Sequence, residues 1–225
     1  GLSMVLPYAL SAIAAYLVGS IPFGYLAGLS RGVDIRTVGS GNIGATNVFR
    51  TLGRKLGVAT FVLDLMKGLV AVGVIPAGVW MAMGAEGAAP LGAEMVAAVA
   101  VLLGHAFPLF LDFKGGKGVA TGAGIAIGVA PHAALLGLVL WVVVFAATRY
   151  VSVASIAAAL AVGGGVWMLD NAREPRHLVP AVIALMALLI VVKHKSNIAR
   201  LLRGTENRFS FTKRKPSADG AAPAK

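Results

Sequence analysis

Residues 61–80, FVLDLMKGLVAVGVIPAGVW, decide the fold class. The run is long enough, at about 1.5 Å per residue, to cross a hydrocarbon core of ~30 Å as a helix. Its only charges are Asp64 and Lys67. It also disposes of a competing reading. Residues 39–44, GSGNIG, fit the pattern G-x-G-x-x-G of dinucleotide sites, and Asp64 stands where an acidic residue would hold a ribose hydroxyl. That chemistry requires a strand before the glycines and a polar context for the acid. Here Asp64 lies inside the apolar run, and residues 13–29, IAAYLVGSIPFGYLAGL, form another such run followed by a charged linker. A nicotinamide or flavin site is not expected.

The composition agrees. Apolar residues make up 58% of the chain and charged residues 13%, with a mean hydropathy of +0.84, whereas soluble domains carry about 25% charged residues. The fold class is therefore all-α and polytopic, because only helices satisfy their own backbone in lipid without the short alternating segments of a barrel. Seven spans are expected, near 5–28, 56–82, 93–111, 118–130, 132–148, 152–170 and 178–193. The fourth and fifth come from one tract, 119–148, divided at Pro131-His132. No basic segment precedes the first run, which reads as a retained span rather than a cleaved signal. The whole forms one transmembrane domain over 1–211, and the polar tail 212–225 is expected to be disordered.

Orientation follows from the basic residues. Of the 20 Lys and Arg, only Arg173 and Arg176 fall in loops on one face, and Lys67 lies inside a span. The rest flank the other face, which the positive-inside rule makes cytoplasmic, with the C-terminus inside and the N-terminus outside. The chain has no cysteine, hence no disulfide or thiolate metal site, and its histidines lack metal-ligand spacing, so neither a metal nor a cofactor is expected.

Three polar clusters fall on the cytoplasmic face: VGSGNIGATNVFR at 38–50, HAFPLFLDFKGGKGVATG at 105–122 and KHKSNIARLLRGTEN at 193–207. Glycines let backbone N–H groups converge on an anion, and Lys or Arg beside them supply charge. FKGGKGVAT reads as a phosphate cradle. It is not a nucleotide-binding P-loop, since Gly118 follows Lys117 and Leu111 stands where that motif has its first glycine. Asp64 and Lys67 read as an intramembrane ion pair or as part of a route to the site, His132 and His177 as structural residues of the opposite face, and His105 has no single reading.

The three clusters, in this order and spacing, resemble the bacterial integral-membrane glycerol-3-phosphate acyltransferases that use acyl phosphate as donor, a likeness that extends to about Phe211. The resemblance implies transfer of a fatty acyl group from acyl phosphate to the 1-hydroxyl of sn-glycerol 3-phosphate at the bacterial inner membrane, giving lysophosphatidic acid and phosphate. It implies function for Ser40 and Arg50 of the first cluster. In the second it implies donor-phosphate binding by Gly115, Gly116, Lys117 and Gly118, with Lys114 beside them. In the third it implies roles for His194 and Asn197 and a structural role for Glu206. Gly39, Gly41, Asn42, Thr46 and Asn47 complete the expected binding set. The implied partners are glycerol 3-phosphate, acyl phosphate and membrane lipid, not nucleic acid.

Another acyltransferase signature, H-x-x-x-x-D, does not fit, because Phe110 stands five positions after His105 and the nearest acid is Asp112. Acyl phosphate is an activated mixed anhydride, so its own departing phosphate can take the hydroxyl proton. His194 as general base or Ser40 as covalent nucleophile are the rival mechanisms. A transporter of a phosphorylated metabolite is the alternative function, although its polar residues should reach mid-bilayer in two repeated halves. A noncatalytic scaffold for anionic lipid would explain the charge of +11 but not the glycine loops.

Overall fold

The computed structural model describes residues 2–170, 172–173 and 175–209. The expected disordered tail and the boundary at residue 211 lie outside them. Among these residues eleven α-helices follow in order: α1 (Leu2–Ser20), α2 (Phe23–Leu29), α3 (Ala45–Leu52), α4 (Arg54–Gly73), α5 (Ile75–Ala82), α6 (Leu91–Ala106), α7 (Val119–Val129), α8 (Pro131–Thr148), α9 (Val151–Leu169), α10 (Leu178–Lys193) and α11 (Lys195–Leu202). No strand occurs among the described residues.

Every expected span has a helical counterpart. Five segments are long and apolar enough to cross a membrane: 5–29, 54–82, 91–111, 131–148 and 151–169. A sixth arises if α10 and α11, bent by 51° at His194, count as one span. The expected fourth span, 118–130, corresponds to α7 and is short. The tract 119–148 does divide at Pro131, but α7 has 11 residues and rises only about 16 Å, roughly half a hydrocarbon core.

Breaks fall where the backbone demands them. Pro22 separates α1 from α2, and Pro131 opens α8 at a position where its missing N–H costs nothing. Inside the bundle, small residues let helices touch through their backbones. Gly68 of α4 lies against the Thr121 carbonyl of α7, and Gly124 of α7 lies reciprocally against Leu65 of α4. Helix α6 is the central element, with Ala97, Ala98, Val101 and Leu102 buried. On α8, Leu135, Leu138, Val139, Val142 and Val143 stay exposed, as lipid-facing residues should.

Polar anchors close the end of the bundle remote from the three motifs. Asp170 caps α8, accepting from the Ala133 amide at 2.7 Å and pairing with His132 Nδ1 at 2.8 Å. Arg173 forms a two-pronged bridge to Glu94, both contacts at 2.9 Å. His132 is thus structural, as its position in the sequence suggests.

Candidate active site

The first motif is a loop braced from behind. Gly24 of α2 packs so closely on the Ile43 carbonyl that a methyl group could not fit, which seats the loop against the bundle. Gly39 and Gly41 take left-handed conformations, with φ of 61° and 69°. Asn47 ties the loop to α3: its amide donates to the Ile35 and Val38 carbonyls at 3.2 and 3.0 Å, and its Oδ1 accepts from the Ser40 amide at 2.9 Å. Asn42 Oδ1 accepts from the Gly44 amide at 2.7 Å. Asn47 therefore shapes the loop with atoms that sequence reasoning assigns to substrate. Thr46 and Arg50, one turn apart on α3, then share a face.

The second motif turns through Asp112 and Phe113, both left-handed with φ of 50° and 60°, a conformation that side chains adopt only when the surroundings enforce it. Beyond that turn Lys114 is exposed, while Lys117 reaches inward and donates to Asn197 Oδ1. Gly118 stands at the N-terminus of α7, which has no side-chain cap. The first amides of α7 are thus left for another acceptor.

The third motif supplies the opposite wall. At the break between α10 and α11, His194 is buried, and its Nδ1 lies 2.8 Å from the Ile190 carbonyl. A carbonyl only accepts, so Nδ1 carries the proton, and in the neutral ring Nε2 then holds the lone pair. Asn197 Nδ2 donates to Glu206 Oε1 at 2.7 Å, Ser152 Oγ donates to the same oxygen at 2.8 Å, and Arg200 Nε donates to Oε2 at 2.7 Å. Against the cost of burial, those hydrogen bonds hold the Glu206 carboxyl below the usual carboxylate range. Arg50 donates to the Asn207 carbonyl at 3.3 Å.

These walls enclose a cavity of about 170 Å³. Ser40, Arg50, Lys117, His194 and Asn197 all line it, as do Asn42, Thr46, Asn47 and Gly118. Gly39, Gly41, Lys114, Gly115 and Gly116 do not: the first two bend the loop behind Ser40, Lys114 faces outward, and Gly115 and Gly116 pack on α6. Sequence reasoning missed Ser152, Ser155, Trp141 and Arg200 as wall residues. The signal for Ser152 and Ser155 was two hydroxyls at i, i+3 in the first turns of a span. The cavity's polar wall is cationic, and Arg50 and Lys117 are hydrogen-bonded to uncharged oxygens rather than to a carboxylate. The charge and the open hydrogen-bond donors of this wall suit an anion.

A profile described as glycerol-3-phosphate acyltransferase matches residues 9–204. The chain belongs to the glycerol-3-phosphate acyltransferase family. It is 48% identical over 199 residues to the glycerol-3-phosphate acyltransferase of Geobacter sulfurreducens, covering 87% of this chain and 94% of that one. To its counterpart in Anaeromyxobacter dehalogenans strain 2CP-1 it is 49% identical over 204 residues, covering 89% and 96%. Its fold matches that of PlsY (YgiH), an integral membrane glycerol 3-phosphate acyltransferase, in the glycerol 3-phosphate form, with a TM-score of 0.77, 38% identity and coverage of 90% and 96%. The lysophosphatidic acid form of PlsY matches with a TM-score of 0.75 over 90% and 95%. In this acyltransferase family member all three motifs wall the cavity just described.

Proposed function

We propose that the cavity transfers an acyl group from acyl phosphate to the 1-hydroxyl of sn-glycerol 3-phosphate, with both phosphates held by its cations and amides. The carrying observation is the cavity itself: Ser40, Arg50, Lys117 and the open N-terminus of α7 face one another there. The PlsY structures, described as glycerol 3-phosphate and lysophosphatidic acid forms, support this choice of acceptor and product. Phe61, Trp141 and Val151 add an apolar wall, and Phe61 is also half exposed on the outer surface of α4. A substrate with a phosphate head and a lipid tail suits such a wall.

In this mechanism the acceptor hydroxyl oxygen attacks the donor's carbonyl carbon and forms the ester bond. The carbonyl–oxygen bond to phosphate breaks, and the hydroxyl proton passes to the departing phosphate. The protein's contribution is to place two anions side by side, offset their repulsion and convert a bimolecular encounter into a positioned attack. Ser40 serves as a hydrogen-bonding group, and the neutral His194 as an acceptor through Nε2.

Orientation belongs to the same reading. Seven spans, with α7 completing the count, put the N-terminus outside, the C-terminus in the cytoplasm and the cavity at the cytoplasmic side of a bacterial inner membrane. The one-sided distribution of Lys and Arg supports this arrangement.

Reconstitution tests the donor. Proteoliposomes given glycerol 3-phosphate and acyl phosphate are expected to release lysophosphatidic acid and phosphate, whereas acyl-CoA is expected to give no turnover above empty liposomes. Comparable turnover with acyl-CoA would contradict the proposed donor.

A further inference from the structure

Asp64, Lys67 and His105 form a buried cluster that the proposed transfer does not use. Asp64 and Lys67 lie one turn apart on α4 with side chains 4% and 2% exposed, and Lys67 Nζ is 2.8 Å from Asp64 Oδ1. Lys67 also donates to the Ile21 carbonyl at 3.1 Å, at the break between α1 and α2. The charges cancel locally, so the pair adds little net field to a neighbouring anion site.

His105, in the last turn of α6, links this pair to the phosphate loop. Its Nδ1 makes no hydrogen bond and lies 3.6 Å from Asp64 Oδ1. A lone pair aimed at a carboxylate would be repelled, so the Nδ1 proton faces Asp64. The Nε2 edge lies under Gly116, where a methyl group would strike the ring, and a methyl on Gly115 would strike the His105 carbonyl. That carbonyl also accepts from the Gly116 amide at 3.1 Å. Both His105 and Asp64 reach the cavity wall.

We infer that His105, anchored by Asp64 and Lys67, is a positioning residue: its ring and carbonyl set the height at which residues 115–117 cross the cavity rim, and hence the aim of Lys117 at the donor phosphate. Charge neutrality and burial keep the platform rigid. The two glycines are the shape complementary to it. The inference rests on the proposed donor-phosphate site.

A double-mutant cycle in proteoliposomes tests it. His105→Ala and Gly116→Ala are each expected to raise the KM for acyl phosphate about tenfold, while kcat and the KM for glycerol 3-phosphate stay within about twofold. The double variant, in which the lost ring makes room for the added methyl, is expected to show about a tenfold rise rather than the ~100-fold of independent sites. A multiplicative effect, or a fall in kcat with KM unchanged, overturns the inference. If His105→Ala does not fold, Asp64→Asn/Lys67→Met, which removes both charges together, is expected to raise the same KM, and an unchanged KM overturns the inference. Hydrogen–deuterium exchange of residues 112–118 needs no substrate, and it is expected to quicken at least about tenfold in His105→Ala. Unchanged exchange overturns the inference, whereas an inactive wild type would indict the donor reading alone.

Discussion

Replacing Lys117 with Met is expected to lower kcat/KM by about 10²–10³-fold, the usual cost of losing one preorganised donor to a developing anion. Lys117 is one of two cavity cations without a carboxylate partner, and Asn197 holds its ammonium in place. Its titration sharpens the test. Burial pushes the ammonium down to about 8, with Glu206 raising it and Arg200 and Arg50 lowering it further. A lysine with a lowered pKa is fully charged only below that value, so phosphate affinity is complete well below pH 8 and is lost as pH rises through it. The wild-type kcat/KM should therefore fall about tenfold per pH unit above ~8, following the free enzyme. Lys117→Arg should flatten that limb, because a guanidinium stays charged. A wild-type profile flat to about pH 9.5 would show that Lys117 does not hold the phosphate.

Glu206→Ala is expected to cost about 3 kcal/mol and to abolish most activity. The change strands Ser152, Asn197 and Arg200 around a site where the carboxylate side chain is 6% exposed, and unpaired buried partners of a charge are expensive. For a chain of this size that loss corresponds to a Tm lower by about 6–12 °C in detergent. Activity fails for a second reason, because Asn197 loses the bond that aims its Oδ1 at Lys117. Glu206→Gln keeps one acceptor oxygen and should retain part of both. The native carboxylate is held low, so its contribution is present above the ordinary carboxylate range and is lost only as pH falls through the lowered value. An unchanged Tm in Glu206→Ala would show that the network does not bear on the fold.

Much of this architecture was legible in the chain. Each long apolar run became a helix, since lipid leaves a backbone no other solution, and Pro131 divided the tract 119–148 as its missing N–H requires. The same break leaves only residues 118–130 for the fourth span, and α7 fills Val119–Val129 of them, about half a hydrocarbon core. The three motifs were legible because glycines and cations stand out in so greasy a chain. Their internal division of labour was not. Which of Lys114 and Lys117 faces the cavity depends on the left-handed turn at Asp112 and Phe113, which carries no glycine to announce it. Asn47, expected as a substrate ligand, lines the cavity and also braces the loop. Ser152 and Ser155 lie inside an apolar helix, and only the fold places Ser152 against Glu206 of the third motif and Ser155 against Trp141.

The claim that the acyl group passes straight from donor to acceptor has a direct test. Enzyme incubated with acyl phosphate and no glycerol 3-phosphate is followed by intact-mass spectrometry, and the account predicts no acylated protein, because Ser40 only hydrogen-bonds a phosphate and never attacks. A stable gain of one acyl mass, mapped to Ser40 and discharged when glycerol 3-phosphate is added, would contradict it.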